Sequence, residues 1–328
     1  MNFPHLRLRR MRTNPQIRAL IRETELNIND LVMPIFIKHG QDRKDPISSM
    51  PGLFQFSLDK LPDEIRELKA LKIQSVLLFG IPECKDAHAT DSYQANGIVQ
   101  QAIQIVKDVA PDMLVMADVC CCEYTDHGHC GVVEDYRGTL DVHNDKTLEI
   151  LAKQAISFAK AGADIIAPSG SIDGQVAAVR MGLDSEGFNQ IPVLSYSIKY
   201  ASSLYGPFRQ AAEGAPKFGD RKTYQMDPAN GSEALREVEL DVSEGADMLM
   251  VKPAQAYLDV IYRVKQKYPH IPLGAYHVSG EYSMIKAAAE LGWIDGKKVA
   301  LEVLTGIKRA GADFIINYFT KELAKDLM

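Results

Sequence analysis

Residues 244–279 read EGADMLMVKPAQAYLDVIYRVKQKYPHIPLGAYHVS, and they contain one complete repeat of an architecture. Gly245 can end a helix in a left-handed turn, after which Ala246-Asp247 leads into an apolar run at 247–251. The following stretch, 254–267, is amphipathic with helical spacing, and a second apolar run occupies 272–277. Neither run alternates apolar with polar side chains, as strands covered on both faces should not. Strand, helix and strand in this order make a parallel βαβ unit.

The same reading extends outward. Apolar runs at 31–37, 75–79, 113–119, 164–167, 192–197 and 313–318 bring the total to eight, with amphipathic stretches at 63–71, 97–109, 146–161, 232–244 and 297–310 between them. AGAD precedes two of the runs, at 161–164 and 310–313, just as EGAD precedes a third at 244–247. This is weak internal repetition of the kind that repeated αβ units leave. Eight alternations predict an α/β fold whose parallel sheet closes into a (β/α)8 TIM barrel. A doubly wound open sheet is the alternative, but no glycine-rich phosphate turn follows the first run. No linker breaks the pattern, so residues 29–328 read as a single catalytic barrel and residues 1–28 as an N-terminal arm.

Residues 1–22 carry Arg7, Arg9, Arg10, Arg12, Arg18 and Arg22 before the first acid, Glu23. Leu6, Leu8 and Met11 make no continuous apolar core for a secretory signal. A transit peptide or a nucleic-acid arm stays open, although the segment has no serine. The plainer reading is an extended arm packed on a neighbouring subunit. The formal charge of −6 argues weakly against a nucleic-acid partner. No apolar run reaches the about 20 residues that cross a bilayer. The chain therefore reads as soluble and cytoplasmic, with no membrane partner.

A barrel places its active site where the strands end, on the C-terminal face, and the unusual residues fall there. Four of five cysteines (Cys120, Cys121, Cys122 and Cys130) lie within eleven residues after the third run. Disulfide scaffolds spread their cysteines through small secreted folds, so clustered thiols here indicate metal or catalysis. The spacing lacks paired C-x2-C arms. Three thiolates leave one position open on a zinc ion, and soft sulfur favours zinc over magnesium. Cys121, adjacent to Cys120 and Cys122, is expected to point away. His127 and His129 are either a fourth ligand or loop histidines that make hydrogen bonds.

Two lysines close apolar runs: Lys199 in YSIK and Lys252 in MLMVK. An amine reacts only when neutral. Bringing a lysine from its usual value to about neutrality costs roughly 4–5 kcal/mol of disfavoured charge. Burial and a second nearby cation supply that shift, so on adjacent strands each lysine is expected to depress the other. The connection 200–228 is long for a βα loop and carries Arg209, Lys217, Arg221, Lys222 and Gln225 beside Tyr205 and Phe208. It reads as a lid that holds a carboxylate and excludes water, or as an exposed basic loop.

DVCCCEYTDHGHCG (118–131), YSIKYASSLYGPFR (196–209), MLMVKPAQAYLDVI (248–261) and YHVSGEYSMIKAAAELGW (276–293) resemble motifs of the porphobilinogen synthase (5-aminolevulinate dehydratase) family. The likeness runs from RLRRMRTNPQIRALIRET in the arm, through VMPIFIK and ISSMPG, to NYFTKELA, and so covers essentially the whole chain. It implies a lyase of haem (tetrapyrrole) biosynthesis that joins two molecules of 5-aminolevulinate through lysine Schiff bases, assembled as a homo-octamer. By the match, Lys252 captures the first substrate and Lys199 the second, with Asp118 near the first amine. Ser279 and Tyr318 hold the first carboxylate, and Arg209, Arg221 and Gln225 hold the second. Cys120, Cys122 and Cys130 bind zinc, which can polarise a carbonyl or support a base. Glu237 resembles the glutamate that binds an activating magnesium away from the active site, the alternative being a solvated helix glutamate. The family usually reads APSDMMDGR after the fourth run, whereas this chain has APSGSIDGQ at 167–175, with Gly170 for the acid and Gln175 for the base. Joint loss of a facing pair strands no charge, but it puts local loop order in question. Two other readings compete. One is a class I aldolase-type lyase with structural zinc, needing one lysine. The other is a non-enzymatic metal-binding, regulatory or nucleic-acid-binding protein.

Overall fold

Three glycines and three aspartates frame the barrel. In the computed structural model, which describes residues 2–327, Gly162, Gly245 and Gly311 take φ of 104°, 103° and 120°. They end the helices Asn144–Ala161, Glu233–Ser243 and Gly296–Ala310. Two residues on, Asp164, Asp247 and Asp313 accept backbone N–H groups of Val115, Val193 and Leu273 at 2.7, 2.8 and 2.7 Å. Each acid thus ties the start of its own strand to the start of a neighbour. The repeat noted in the sequence is a set of strand-entry clips.

The eight apolar runs are eight strands: β1 (Leu31–Lys38), β2 (Ser75–Ile81), β3 (Leu114–Val119), β4 (Ile165–Pro168), β5 (Leu194–Lys199), β6 (Met248–Lys252), β7 (Leu273–Tyr276) and β8 (Phe314–Ile316). Their order is β4-β3-β2-β1-β8-β7-β6-β5, and every neighbouring pair is parallel. The ring closes between β4 and β5 through a single parallel bridge, Ile166 with Val193, where Ile166 N donates to Pro192 O at 3.1 Å. This is the (β/α)8 barrel that the alternation predicted.

The helices cover the barrel by the usual spacing. Leu61–Ala70 turns Leu61, Ile65 and Leu68 inward, with Asp63 and Glu64 in its first turn and Lys69 in its last, matching the helix dipole. Leu77 on β2 and Ile65 on this helix are fully buried, and truncating either to alanine costs about 2–5 kcal/mol. Two hairpins decorate the C-terminal rim. Lys44–Pro46 pairs with Phe54–Phe56, which extends beside β1, and Val133–Tyr136 pairs with Thr139–Val142. Positive φ at Arg137 and Gly138 (56° and 87°) gives the second a two-residue turn whose twist suits a hairpin.

The arm holds a 3-10 turn, Leu8–Arg12, and a short helix, Pro15–Leu20, capped by the Asn14 side chain accepting from Gln16 N at 2.8 Å. Among the described residues none before Ile28 is buried, and Phe3, Leu6, Leu8 and Leu20 are exposed. No helix among the described residues is long and apolar enough to cross a membrane.

Candidate active site

Lys199 and Lys252 end β5 and β6 and stand as direct Cα partners. The ladder slips between them: Leu249 faces Ser195, yet Val251 faces Ile198. One extra residue in β5 therefore aligns the lysines. With side chains alternating faces, unslipped strands would have paired Lys252 with Ile198 instead.

The two ammonium groups meet different surroundings. Lys252 Nζ lies 4.2 Å from the Tyr276 ring centroid and 5.1 Å from those of Tyr196 and Phe208, with Tyr205 at 5.6 Å. Burial, with the Lys199 charge beside it, lowers Lys252 to about 7. Lys199 donates to Ser169 O. Burial lowers it too, but the thiol cluster, led by Cys130, and Asp118 outweigh that and leave it above the ordinary lysine value. The expected mutual depression is thus one-sided: three thiols act on Lys199 and, of these, only Cys122 is among the causes at Lys252. Asp118, at the end of β3, accepts from Ser169 Oγ at 2.9 Å and leaves its other oxygen unpartnered. Burial and Glu123 raise its carboxyl to about 7 against the pull of both lysines.

Cys120, Cys122 and Cys130 bring their Sγ atoms within 4.8 Å of one another, all buried and none in a disulfide. Hydrogen bonds from Cys120 and Cys122, aided by Arg221 and Lys199, hold the Cys130 thiol well below its usual value. Buried, mutually close thiols with one already acidic suit a thiophilic cation such as zinc. Cys121 packs into the main core instead, as its position suggested. His129 spends both ring nitrogens on Tyr224 Oη and Phe218 O, each at 3.0 Å, and His127 Nδ1 accepts from His129 N at 3.1 Å. Neither histidine joins the thiols.

The connection 200–228 is a lid that leaves and returns at one point. Met226 N donates to Lys199 O at 3.0 Å, and Ala201 N to Met226 O at 2.8 Å. Between them the chain lies flat on the cysteine loop. A Cβ at Gly128 would stand 2.2 Å from Ala215 O, and Arg221 Nη2 donates to Gly128 O and Gly214 O at 2.8 and 2.7 Å. On the other side Glu213 meets Lys38 Nζ at 2.6 Å, Lys85 Nζ donates to Glu213 O at 2.7 Å, and Gln55 Nε2 donates to Ala211 O at 2.7 Å. The basic stretch is therefore bound to the rim, not a free surface loop.

Under the lid, a small cavity is lined by Lys199, Lys252, Asp118, Cys122, Tyr205, Phe208, Arg209 and Arg221, together with Phe79, Glu123 and Ser169. Ser279 sits behind Phe208 and accepts from its N–H at 2.9 Å. Tyr318 Oη and Tyr276 Oη share a hydrogen bond of 2.9 Å. Gln225 lines a neighbouring cleft of about 820 Å³ that also reaches Lys199, and its Nε2 is buried without a partner. Glu237 stands apart in the same cleft, half-buried, with burial, Asp241, Asp173 and Glu233 raising it to about 7. Sequence reasoning passed over Tyr196, Tyr276, Ser169 and Glu123. The available signal was a hydroxyl or acid in or just after an apolar run.

The altered loop after β4 is tied to the helix Asn144–Ala161. Asn144 clips it with two hydrogen bonds, giving to Asp173 O at 3.0 Å and accepting from Asp173 N at 2.9 Å. A Cβ at Gly170 would lie 3.4 Å from Gln175 Oε1, so the two substituted positions do face each other.

The sequence profile described as delta-aminolevulinic acid dehydratase matches residues 5–326. The dehydratase of that name from Synechocystis sp. is 54% identical over 323 residues, covering 98% of each chain. That of Halalkalibacterium halodurans is 56% identical over 319 residues, 97% of this chain and 96% of the relative. A crystal structure of the Toxoplasma gondii delta-aminolevulinic acid dehydratase (porphobilinogen synthase), in complex with the reaction product porphobilinogen, superposes with a TM-score of 0.94. It is 46% identical and covers 98% of this chain and 91% of its own.

Proposed function

The chain belongs to the delta-aminolevulinic acid dehydratase family, and from that premise we propose how its residues divide the work. The reaction condenses and dehydrates two molecules of 5-aminolevulinate to porphobilinogen, an early step of tetrapyrrole (haem) biosynthesis, which makes the chain a lyase. One observation carries the assignment of roles: Lys252, lowered to about 7 inside an aromatic cage, stands in register with Lys199 across from three thiols.

Lys252 attacks the ketone of the first substrate as a neutral amine and forms an imine with loss of water. Its aromatic walls exclude solvent that would reverse the step. Asp118, poised between its charged and neutral forms, takes up and returns protons at the substrate amine and the adjacent carbon. Ser279 and Tyr318 orient the first carboxylate. Lys199 engages the second substrate, whose carboxylate is held by Arg209, Arg221 and Gln225, while Tyr205 and Phe208 close the pocket over both. Cys120, Cys122 and Cys130 hold zinc, which when bound supplies Lewis acidity toward a carbonyl oxygen. The protonated imine withdraws electrons, so its neighbouring carbon gives up a proton and bonds to the second carbonyl carbon, whose oxygen leaves as water. The second substrate's amine then closes the ring on the imine carbon, displacing the Lys252 amine, and loss of a further proton gives the pyrrole.

Glu237, with Asp241, Asp173 and Glu233 around it, holds an activating magnesium, the hard cation that oxygen donors favour. The exposed apolar residues of the arm pack against other copies in a homo-octamer. The free thiol cluster fits a reducing, cytoplasmic setting.

Borohydride trapping with 5-aminolevulinate, followed by peptide mass spectrometry, tests the roles, with a pyrrole colour assay and a chelator arm beside it. The expected result is an adduct on Lys252 and chelator-sensitive pyrrole. No adduct on Lys252 in zinc-replete protein would overturn the assignment.

A further inference from the structure

Glu281 is fully buried two residues into the helix Ser279–Glu290, and its partners are backbone amides. Its Oε2 accepts from Val278 N at 2.7 Å, at the start of its own helix. Its Oε1 accepts from Gln255 N at 2.7 Å, in a different connection, three residues beyond Lys252. Burial raises its carboxyl to about 7, while the amides of Val278, Gln255, Ala254 and Ala256 pull the other way. One carboxylate therefore caps two helix starts at once, that of the segment leaving β6 and that of the segment leaving β7.

Those two segments frame the pocket of the first substrate. The β6 exit carries Lys252, and the β7 exit carries Ser279. The lid hangs from the same frame. Phe208 N donates to Ser279 Oγ at 2.9 Å, Tyr205 Oη donates to Lys252 O at 3.3 Å, and a Cβ at Gly280 would come within 2.4 Å of Leu204 O. The β6–β7 ladder brings the two exits side by side as far as Val251 and Ala275, and beyond its end Glu281 joins the turn after Lys252 to the turn that carries Ser279.

We propose that Glu281 is a positioning residue for the first substrate: it braces the turn after Lys252, the imine-forming lysine, against the turn that carries the carboxylate anchor Ser279. It touches neither substrate nor reacting atoms. The proposal rests on the reading of Lys252 as the imine lysine.

Glu281→Asp separates the two halves of the bridge. The shorter acid keeps a carboxyl and the adjacent Val278 amide but falls short of Gln255. Glu281→Gln keeps the length and loses an acceptor. Each variant, as the full chain with zinc, is followed by rapid-quench borohydride trapping at Lys252, the KM for 5-aminolevulinate and thermal melting. Wild-type adduct on Lys252 validates the underlying reading independently. The expected result is a folded Glu281→Asp whose adduct forms about tenfold more slowly at low substrate, with KM raised by about the same factor and kcat changed much less. Wild-type trapping rates per folded molecule in either variant would overturn the proposal. Failure of both variants to fold would also overturn it, by making Glu281 a requirement of the fold instead of the pocket.

Discussion

Lys252 and Lys199 are one strand apart, in register and equally buried, yet they are opposite acids. Around Lys252 are four aromatic rings. Around Lys199 are a carbonyl and the field of three thiols. Burial alone would treat the two alike, so the neighbours decide. The apolar side produces a nucleophile and the thiol side keeps a cation. That difference allows two identical substrate molecules to be handled differently.

The largest test breaks the pair. Lys252→Met should abolish the trapped adduct and lower turnover by at least about 10³-fold. Lys199→Met should leave the Lys252 adduct intact while pyrrole is lost. Adduct on Lys199 in the first variant would reverse the roles. Next, Cys122→Ala should lower pyrrole formation by about 10²-fold or more and release bound zinc, measured by metal analysis, while the Lys252 adduct still forms. Loss of that adduct would tie the metal to the first pocket instead.

A pH series sharpens the contrast. The rate of adduct formation should rise through a midpoint at about 7, far below an ordinary lysine. In Lys199→Met the midpoint should move up, because the Lys199 charge is among the causes that lower it. Stability follows the same sign. The folded value of Lys252 lies below the unfolded one, so its charging penalty is full below about 7 and fades as pH climbs toward the unfolded value. Lys252→Met should therefore raise the melting temperature more at pH 6 than at pH 9. The smallest effect is at the lid. Lys38→Met removes the partner of Glu213 and should raise KM by about 1.5- to 5-fold with kcat unchanged, the range of a partly exposed ion pair.

The strands were legible because buried parallel strands write themselves as unbroken apolar runs, and the Gly–Asp repeat marked where several begin. Lys199, Lys252 and the thiols were legible because each is chemically out of place in such a run. The one-sided titration was not, because it depends on bringing 120–130 beside 199, a long-range contact without local signature. Tyr196 and Tyr276 passed unnoticed since aromatic hydroxyls blend into strand composition. Glu281 looked like any helix glutamate until its fold partners were in place. The two rim hairpins were missed because strands of three or four residues leave too short a period to read.

The barrel's ring is laced unevenly. Seven of its seams are ladders, and the eighth, between β4 and β5, is a single bridge near the bottom. At the top of that seam the stitch is the Lys199 side chain itself, reaching across to the carbonyl of Ser169. An ammonium offers three N–H donors, and any that turn to a second substrate leave the carbonyl of Ser169. Each time Lys199 takes on substrate it gives up part of its grip on the opposite stave. Amides along β4 and β5 should accordingly exchange with deuterium sooner in the working enzyme than at rest, so that the barrel breathes along the edge where its second lysine is occupied.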